Sequence, residues 1–301
     1  MYDVIIIGAG IAGDTAAIYA ARKKMNFLLI TKELGGQFFE SGKILNYPGI
    51  VETTGDEFAE QFEKQLEFND IEPREDEEVT GIEKLNDDFK VISDKDEYET
   101  KSVIIATGSR PRKLDVPGEK EFANKGVTYC SICDGPLFAD QTIAVIGGGN
   151  SALEGAEFTV DIAEKIYLLN IEEKFRAHEY LIDKVCSHDN VKAIQNAETT
   201  EILGDDFVTG LKYKKDGKEH KLDVEGVIIE IGRIPNTDFL KGFLKMDDTG
   251  HIWIDCQANT SVEGVYAAGD CASGHEYQYT IAAGQGCIAL LKASRYLAEK
   301  K

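Results

Sequence analysis

The chain has 301 residues, 43% of them hydrophobic and 29% charged, with a formal net charge of −21 at pH 7. That length suits about two domains of ordinary size, and the acidic balance argues against nucleic acid or an anionic membrane surface as partners, since both require basic patches. No apolar run approaches the roughly 18 residues that span a bilayer, and the opening Val4-Ile5-Ile6-Ile7 run is too short for a signal segment and leads into a glycine turn, so a cytoplasmic protein is expected.

In chain order, the first β-branched run enters Gly8-Ala9-Gly10-Ile11-Ala12-Gly13, a G-x-G-x-x-G placed between a strand and a helix. Such glycines let the backbone turn tightly and approach a pyrophosphate at the positive helix N-terminus. The acid expected on an adenosine ribose after the second strand is Glu33, with Lys32 beside it. A denser acidic stretch at 72–78 reads as a solvated loop or strand edge. The run Ser102-Val103-Ile104-Ile105-Ala106 then ends in Thr107-Gly108.

Next comes Cys130-Ser131-Ile132-Cys133-Asp134. Two thiols separated by two residues can close a small ring and exchange with an external disulfide. The alternative is half of a zinc site, but no second C-x-x-C or Cys/His pair completes it, and no metal site is expected. Asp134 reads either as the proton donor to a departing thiolate or as a helix cap. Cys186, Cys256, Cys271 and Cys287 are scattered and read as small hydrophobes.

Residues 142–169 repeat the strand, glycine turn, helix, strand order of residues 2–30, now with Gly147-Gly148-Gly149-Asn150-Ser151-Ala152 and alanine at the third glycine position. Two such starts suit one flavin and one nicotinamide; the alternative is a second domain that keeps its fold without its ligand. Far downstream, Gly264-Val265-Tyr266-Ala267-Ala268 ends in Gly269-Asp270, and a last helix is predicted over 282–299. If the runs at 102–106 and 264–268 share the first sheet, the second domain is an insertion. The expected fold is α/β, with two doubly wound dinucleotide-binding domains, the second inserted into the first. Expected limits are 1–112 with 242–301 for one domain and 113–241 for the other, near Pro111, Pro117 and Pro235. His178, His188, His220, His251 and His275 look isolated and are read as surface residues, His275 standing apart in the stretch after Asp270.

Over nearly its whole length the chain resembles the low-molecular-weight thioredoxin reductases, and it is similar to the flavoprotein reductase part of alkyl hydroperoxide reductase. The matching stretches are Gly8 to Gly13, Gly35-Gly36-Gln37, Asn46-Tyr47-Pro48-Gly49, Ala106-Thr107-Gly108, Cys130 to Gly135, Gly147 to Ala152, Pro235-Asn236-Thr237 and Gly269-Asp270. The resemblance implies FAD, with Gly8, Gly10, Ala12 and Gly13 on its pyrophosphate and Glu33 on its ribose. Gly36, Gln37, Ser41, Asn46, Val79, Thr107, Gly108 and Gly269 would line its site, with Asp270 on the ribityl chain and Gln278 near the pyrimidine edge. It further implies that Cys133 accepts electrons from the flavin, that Cys130 attacks the disulfide of a thioredoxin-like partner with Asp134 as acid, and that the protein is a homodimer. Gly147, Gly149, Asn150 and Ser151 would hold the nicotinamide nucleotide.

Two departures from the family pattern carry expectations. Where NADPH-preferring members place an arginine-rich run, this chain has Asn170-Ile171-Glu172-Glu173-Lys174-Phe175-Arg176, in which only Arg176 survives. The glutamates would repel a 2′-phosphate, so NADPH is disfavoured and NADH, hydrogen-bonded through Asn170, is favoured. Ferredoxin is also compatible as electron donor, as in a branch that has abandoned nicotinamide, and reversed chemistry would make a dithiol oxidase using oxygen. A flavin-bound redox sensor without turnover is the reading from outside enzyme chemistry. Near the C-terminal segment the chain has Tyr277-Gln278-Tyr279 where the family has an arginine before the glutamine and a small residue after it. Tyr279 is left either stacking on the flavin or packing in a dimer core.

Overall fold

The computed structural model describes residues 1–41 and 43–300. The chain forms two compact units, residues 1–110 with 234–300 and residues 111–233. The crossings lie at 110/111 and 233/234, ahead of the limits expected at 112/113 and 241/242. Residues 234–241 stay with the first unit because Asn236 N–H donates to the Gly108 carbonyl at 3.0 Å and its amide Nδ2 to the Thr107 carbonyl at 2.9 Å.

The first unit is built on four parallel strands in the order Val265–Ala267, Val103–Ile105, Val4–Ala9, Phe27–Leu34. The four are β-branched or apolar runs buried on both faces, the last as far as Thr31, beyond which Lys32 and Glu33 are exposed; a parallel sheet covered on each side requires such burial. One face packs on the Ile11–Arg22, Gly55–Phe68 and Tyr279–Glu299 helices, through Ala16, Ala20, Phe58, Phe62, Leu290 and Ala293. The other packs against the antiparallel sheet Val79–Leu85, Asp88–Ser93, Glu97–Thr100, through Phe89 and Val91. The Gly55–Phe68 helix starts at a reciprocal cap in which Thr54 and Glu57 each accept the other's backbone N–H. The last helix begins at Tyr279, three residues before the predicted start. Within the acidic stretch, Glu77 is buried and accepts from Tyr98 Oη at 2.8 Å, so that part is structural.

The second unit carries five parallel strands in the order Val127–Thr128, Gly226–Ile229, Thr142–Ile146, Lys165–Leu169, Val191–Ile194. Its Asn150–Thr159 and Glu179–Cys186 helices cover one face through Leu153, Ala156, Leu181 and Val185. An antiparallel sheet, Glu198–Gly204, Val208–Lys215, Lys218–Leu222, covers the other through Ile202, Leu211 and Tyr213. Among the described residues, no helix is long and apolar enough to cross a membrane.

Candidate functional site

In the first unit the carboxyl ends of the parallel strands bring together most of the residues expected to hold a flavin. The Val4–Ala9 strand ends at Gly8 and Gly10, Val103–Ile105 leads to Thr107 and Gly108, Phe27–Leu34 to Gly36, and Val265–Ala267 to Gly269 and Asp270. In open α/β sheets this edge is where ligands bind. Gly13 is fixed by packing, since an added Cβ would stand 1.8 Å from the Gly8 carbonyl oxygen. Gly10 is different. Its φ of −96° suits any residue, and a Cβ there would meet nothing within 4 Å. The same open space lies above Gly108, and a Cβ on Gly36 would touch only Gly10 Cα, at 3.7 Å. Gly10 also caps the Ile11–Arg22 helix without a side-chain acceptor, which leaves first-turn N–H groups for a ligand.

Around this edge, Gln37 Nε2 donates to the Ser109 carbonyl, and Asn46 Nδ2 to Gln278 Oε1 at 3.2 Å. Ala12 packs under Gly269 and against Gly286 of the last helix. Glu33 is exposed at the end of its strand, and Lys32 is paired with Glu78 at 2.8 Å. Val79 is buried in the antiparallel sheet. Tyr279 lies among Phe38 and Phe58, ring centroids 5.2 and 5.8 Å away, with its hydroxyl 2.5 Å from Ser41 Oγ; it packs inside its own unit. The fold supplies one partner the motifs did not: Gln285 Oε1, on the last helix, accepts from Gly269 N–H at 2.8 Å.

The second unit repeats the turn. Gly149 caps the Asn150–Thr159 helix without a side-chain acceptor, and a Cβ there would again meet nothing within 4 Å. Asn150 Oδ1 accepts from His178 N–H at 2.9 Å, and Ser151 is exposed. Asn170 is buried with its amide engaged in the loop: Nδ2 donates to Lys174 O at 2.9 Å and Gln195 Oε1 at 2.7 Å, while Oδ1 accepts from Glu172 N–H at 3.2 Å. Its two amide hydrogens therefore shape the loop, and any ribose contact of the kind expected of it would fall to Oδ1. Arg176 is held by both oxygens of Glu172, its Nε at 2.6 Å from Oε2.

Cys130 and Cys133 are joined as a disulfide, Cα atoms 5.3 Å apart, which leaves no thiolate pair for zinc. Cys130 is the N-cap of the short Ser131–Asp134 helix, and its Sγ accepts from Cys133 N–H at 3.2 Å, a contact that favours negative charge on that sulfur. Burial pushes the Asp134 carboxyl above its ordinary value, against the opposing effect of the Thr128 hydroxyl that donates to it. Beneath this helix stands a residue sequence reasoning passed over. Glu230 Oε1 accepts from Ser131 N–H and Oγ at 3.3 and 3.2 Å, and burial raises its carboxyl to about 7. An acid following the apolar Val227-Ile228-Ile229 was the available signal.

The histidines also depart from expectation. His251 is 1% exposed, and its ring lies 4.5 Å from that of His275, so these two are neither isolated nor both on the surface.

The profile described as pyridine nucleotide-disulphide oxidoreductase matches residues 2–286. The chain belongs to this family. It is 40% identical over 299 residues to the F subunit of Staphylococcus aureus alkyl hydroperoxide reductase, an alignment that covers 98% of the chain and 59% of that protein. The chain thus spans less than two thirds of the length of that relative. Thioredoxin reductase from Streptococcus pyogenes superimposes with a TM-score of 0.93 at 36% identity, covering 99% of each chain. A ferredoxin-flavin thioredoxin reductase from Clostridium acetobutylicum is 33% identical, with a TM-score of 0.55 over 99% of this chain and 98% of that one.

Membership of this oxidoreductase family implies FAD and a nicotinamide. The residues fit both. Two helix N-termini carry uncapped N–H groups under glycines whose side-chain space is open, the donor set and clearance a pyrophosphate needs.

Proposed function

We propose that the protein is an FAD-dependent disulfide reductase that passes electrons from NADH to the disulfide of a thioredoxin-like protein. The observation that carries this reading is the Cys130–Cys133 disulfide at a helix start, with the partly buried Asp134 carboxyl adjoining it. Gly8, Gly10, Gly13, Gly36, Gly108, Gly269 and Asp270 hold FAD, and Gly147, Gly149 and Ser151 the nicotinamide nucleotide. Bound FAD supplies a two-electron carrier between the two.

The Cys130–Cys133 bond takes up two electrons and two protons to give two thiols. Cys130, whose sulfur accepts the Cys133 N–H, is the better thiolate and attacks the partner disulfide. A mixed disulfide forms, and the first partner sulfur leaves with a proton from Asp134, whose raised pKa keeps that proton available. Cys133 then attacks Cys130 Sγ, the second partner sulfur leaves, and the original disulfide is restored. The two protons end on the partner's thiols. NADH is favoured over NADPH because the Glu172 carboxylate both repels a 2′-phosphate and occupies Arg176, the cation of that loop matched to the family's arginine run.

An anaerobic titration tests the reading. The yellow protein is mixed in turn with NADH, NADPH and reduced ferredoxin while the oxidised flavin band is followed. Bleaching by NADH well ahead of NADPH, with onward reduction of thioredoxin that Cys133→Ser abolishes without loss of flavin, is expected. Bleaching by ferredoxin alone would replace the donor, and thioredoxin reduction by Cys133→Ser would remove the assigned disulfide role.

A further inference from the structure

Within the first unit, a turn at 247–250 and the segment after Asp270 bring two imidazoles to one carboxylate. Backbone pairing holds the two segments together: Ile252 N–H donates to Cys271 O at 2.8 Å and Ser273 N–H to Ile252 O at 2.9 Å. Asp247 Oδ1 is anchored by three donors, Thr249 N–H at 2.9 Å, Thr249 Oγ1 at 2.7 Å and His251 N–H at 3.0 Å. Its other oxygen, Oδ2, faces His275 Nε2 at 2.9 Å. His251 Nδ1 lies 3.8 Å from Oδ1 and 2.8 Å from Thr249 Oγ1. The far nitrogens of both rings turn to one phenol: Tyr277 Oη is 3.1 Å from His251 Nε2 and 3.2 Å from His275 Nδ1.

Five contacts join these side chains: Asp247 with His275, Asp247 with Thr249, Thr249 with His251, and Tyr277 with each imidazole. The convergence of one carboxylate and two imidazoles from separate segments suits a divalent cation. Bound by Asp247 Oδ2, His275 Nε2 and His251 Nδ1, it leaves Thr249 to donate to Asp247 alone. It also fixes both tautomers, so that His251 Nε2–H and His275 Nδ1–H donate to Tyr277, the outer hydrogen bonding that metal-bound imidazoles require. One donor atom from each of the three residues lies within 4.8 Å of the others.

We infer that Asp247, His251 and His275 form a binding site for a divalent transition-metal ion of the zinc type, with Tyr277 and Thr249 positioning the ligands. Two imidazoles and one carboxylate are the donor set such ions prefer over calcium or magnesium, and three protein ligands leave a tetrahedral ion one further position. The site is independent of the electron-transfer reading, as it uses neither the disulfide nor a residue assigned to FAD. Its ligands explain why Tyr277 stands where the resemblance leads one to expect arginine.

Calorimetric titration of the full-length, flavin-containing protein with Zn²⁺ tests the site, with the Cys130–Cys133 bond kept oxidised. One ion per chain is expected, together with a Zn²⁺-dependent rise in melting temperature. His275→Ala, at a half-exposed position that tolerates truncation, is expected to weaken binding by about 100-fold or more, and Tyr277→Phe by roughly 10- to 100-fold. Asp247→Asn is a second variant that should lose the ion. Cys186→Ser with Cys256→Ser should leave affinity unchanged, since those exposed thiols lie outside the site. Absence of saturable binding, unchanged affinity in His275→Ala, or loss only in the cysteine variants would overturn the proposal.

Discussion

At the first glycine turn the third position is Gly13, where an added Cβ would stand 1.8 Å from the Gly8 carbonyl oxygen; at the second it is Ala152, whose methyl is fully buried without such a collision. The two turns otherwise coincide. Gly8 and Gly147 both have positive φ, 103° and 146°, and a Cβ on either would fall 2.4 or 2.2 Å from the carbonyl oxygen of a neighbouring strand's end, Ala106 or Glu230. Gly10 and Gly149 both open onto free space at an uncapped helix start. Position by position, then, the first and third places of the motif answer to the chain's own packing, and the middle place meets no packing of the chain's own. In the function proposed above, that open space is the ligand's, and the residues after each second strand would set its identity.

The largest expected effect would break the symmetry at the third position. Gly13→Ala must push backbone against backbone, so it should cost roughly 3 kcal/mol or more and release the flavin. Ala152→Gly removes only a helical methyl and should cost about 1 kcal/mol. Urea unfolding followed by flavin fluorescence and circular dichroism compares them; equal midpoints would show that the two turns are under the same packing constraint.

Each unit also buries one acid beside its turn, and the pair sharpens the comparison through pH. Asp14, next to Gly13, is raised by burial to about 8, with Glu63 adding to the shift, and its Oδ1 is a buried oxygen with no hydrogen-bond partner. Glu230 is raised to about 7. A raised carboxyl binds its proton more tightly folded than unfolded, so its contribution is fully present below the unfolded pKa and is lost as pH climbs through the folded one. For Glu230 the loss falls between pH 4.5 and about 7 and amounts to about 3 kcal/mol at 1.36 kcal/mol per unit. For Asp14 it runs from 3.8 to about 8. Glu230→Gln should flatten the stability profile below neutrality, and Asp14→Asn the part that persists above it. A profile unchanged by both would place the slope elsewhere.

Most of this architecture is legible in the sequence because a strand, three spaced glycines and an alanine-rich helix constrain one another locally. The duplicated start and the closely spaced Cys130 and Cys133 have that local character, while the insertion is legible because two distant apolar runs, 102–106 and 264–268, each end in a glycine turn and pair in one sheet. The buried contacts are not legible. Glu230 meets Ser131, 99 positions away in sequence, and Tyr279 reaches Ser41 across 238. Asn170 reads as a ribose ligand from its position after a strand, yet the loop it closes uses both of its amide hydrogens. Five scattered histidines give no hint that a backbone pairing of Ile252 with Cys271 carries two of them to one aspartate. Long-range partners of polar side chains are set by tertiary packing, which no spacing rule encodes.

The middle glycines separate fold from ligand. Gly10→Val and Gly149→Val enter space that no protein atom occupies, so both variants should fold with unchanged melting temperature once cofactor is removed. Gly10→Val should weaken FAD by roughly 10- to 100-fold, the cost of forcing a side chain into a tight contact. Gly149→Val should keep its flavin and lose nicotinamide affinity by a similar factor. Equal loss of flavin in both would erase the distinction between the turns.

The smallest effect concerns the loop after the second strand of the inserted unit. Arg176 is 77% exposed and its Glu172 partner 41%, so the ion pair itself stabilises little and its removal leaves the fold intact. Its consequence lies in charge placement. Glu172→Ala frees the guanidinium, and Ile171→Arg, at a position 65% exposed, adds a second one; in the function proposed above, the two together should turn a loop disfavouring a 2′-phosphate into one that pairs with it bidentately. Because the site is solvated, a gain of about 1.4 kcal/mol is expected, a shift of about 10-fold in the NADPH-to-NADH ratio of kcat/KM. Glu172→Ala alone should give a smaller shift in the same direction. An unmoved ratio in the double variant would mean that the ribose end of the nucleotide lies away from this loop, and the contrast between the two turns would then have to be sought in the strands themselves.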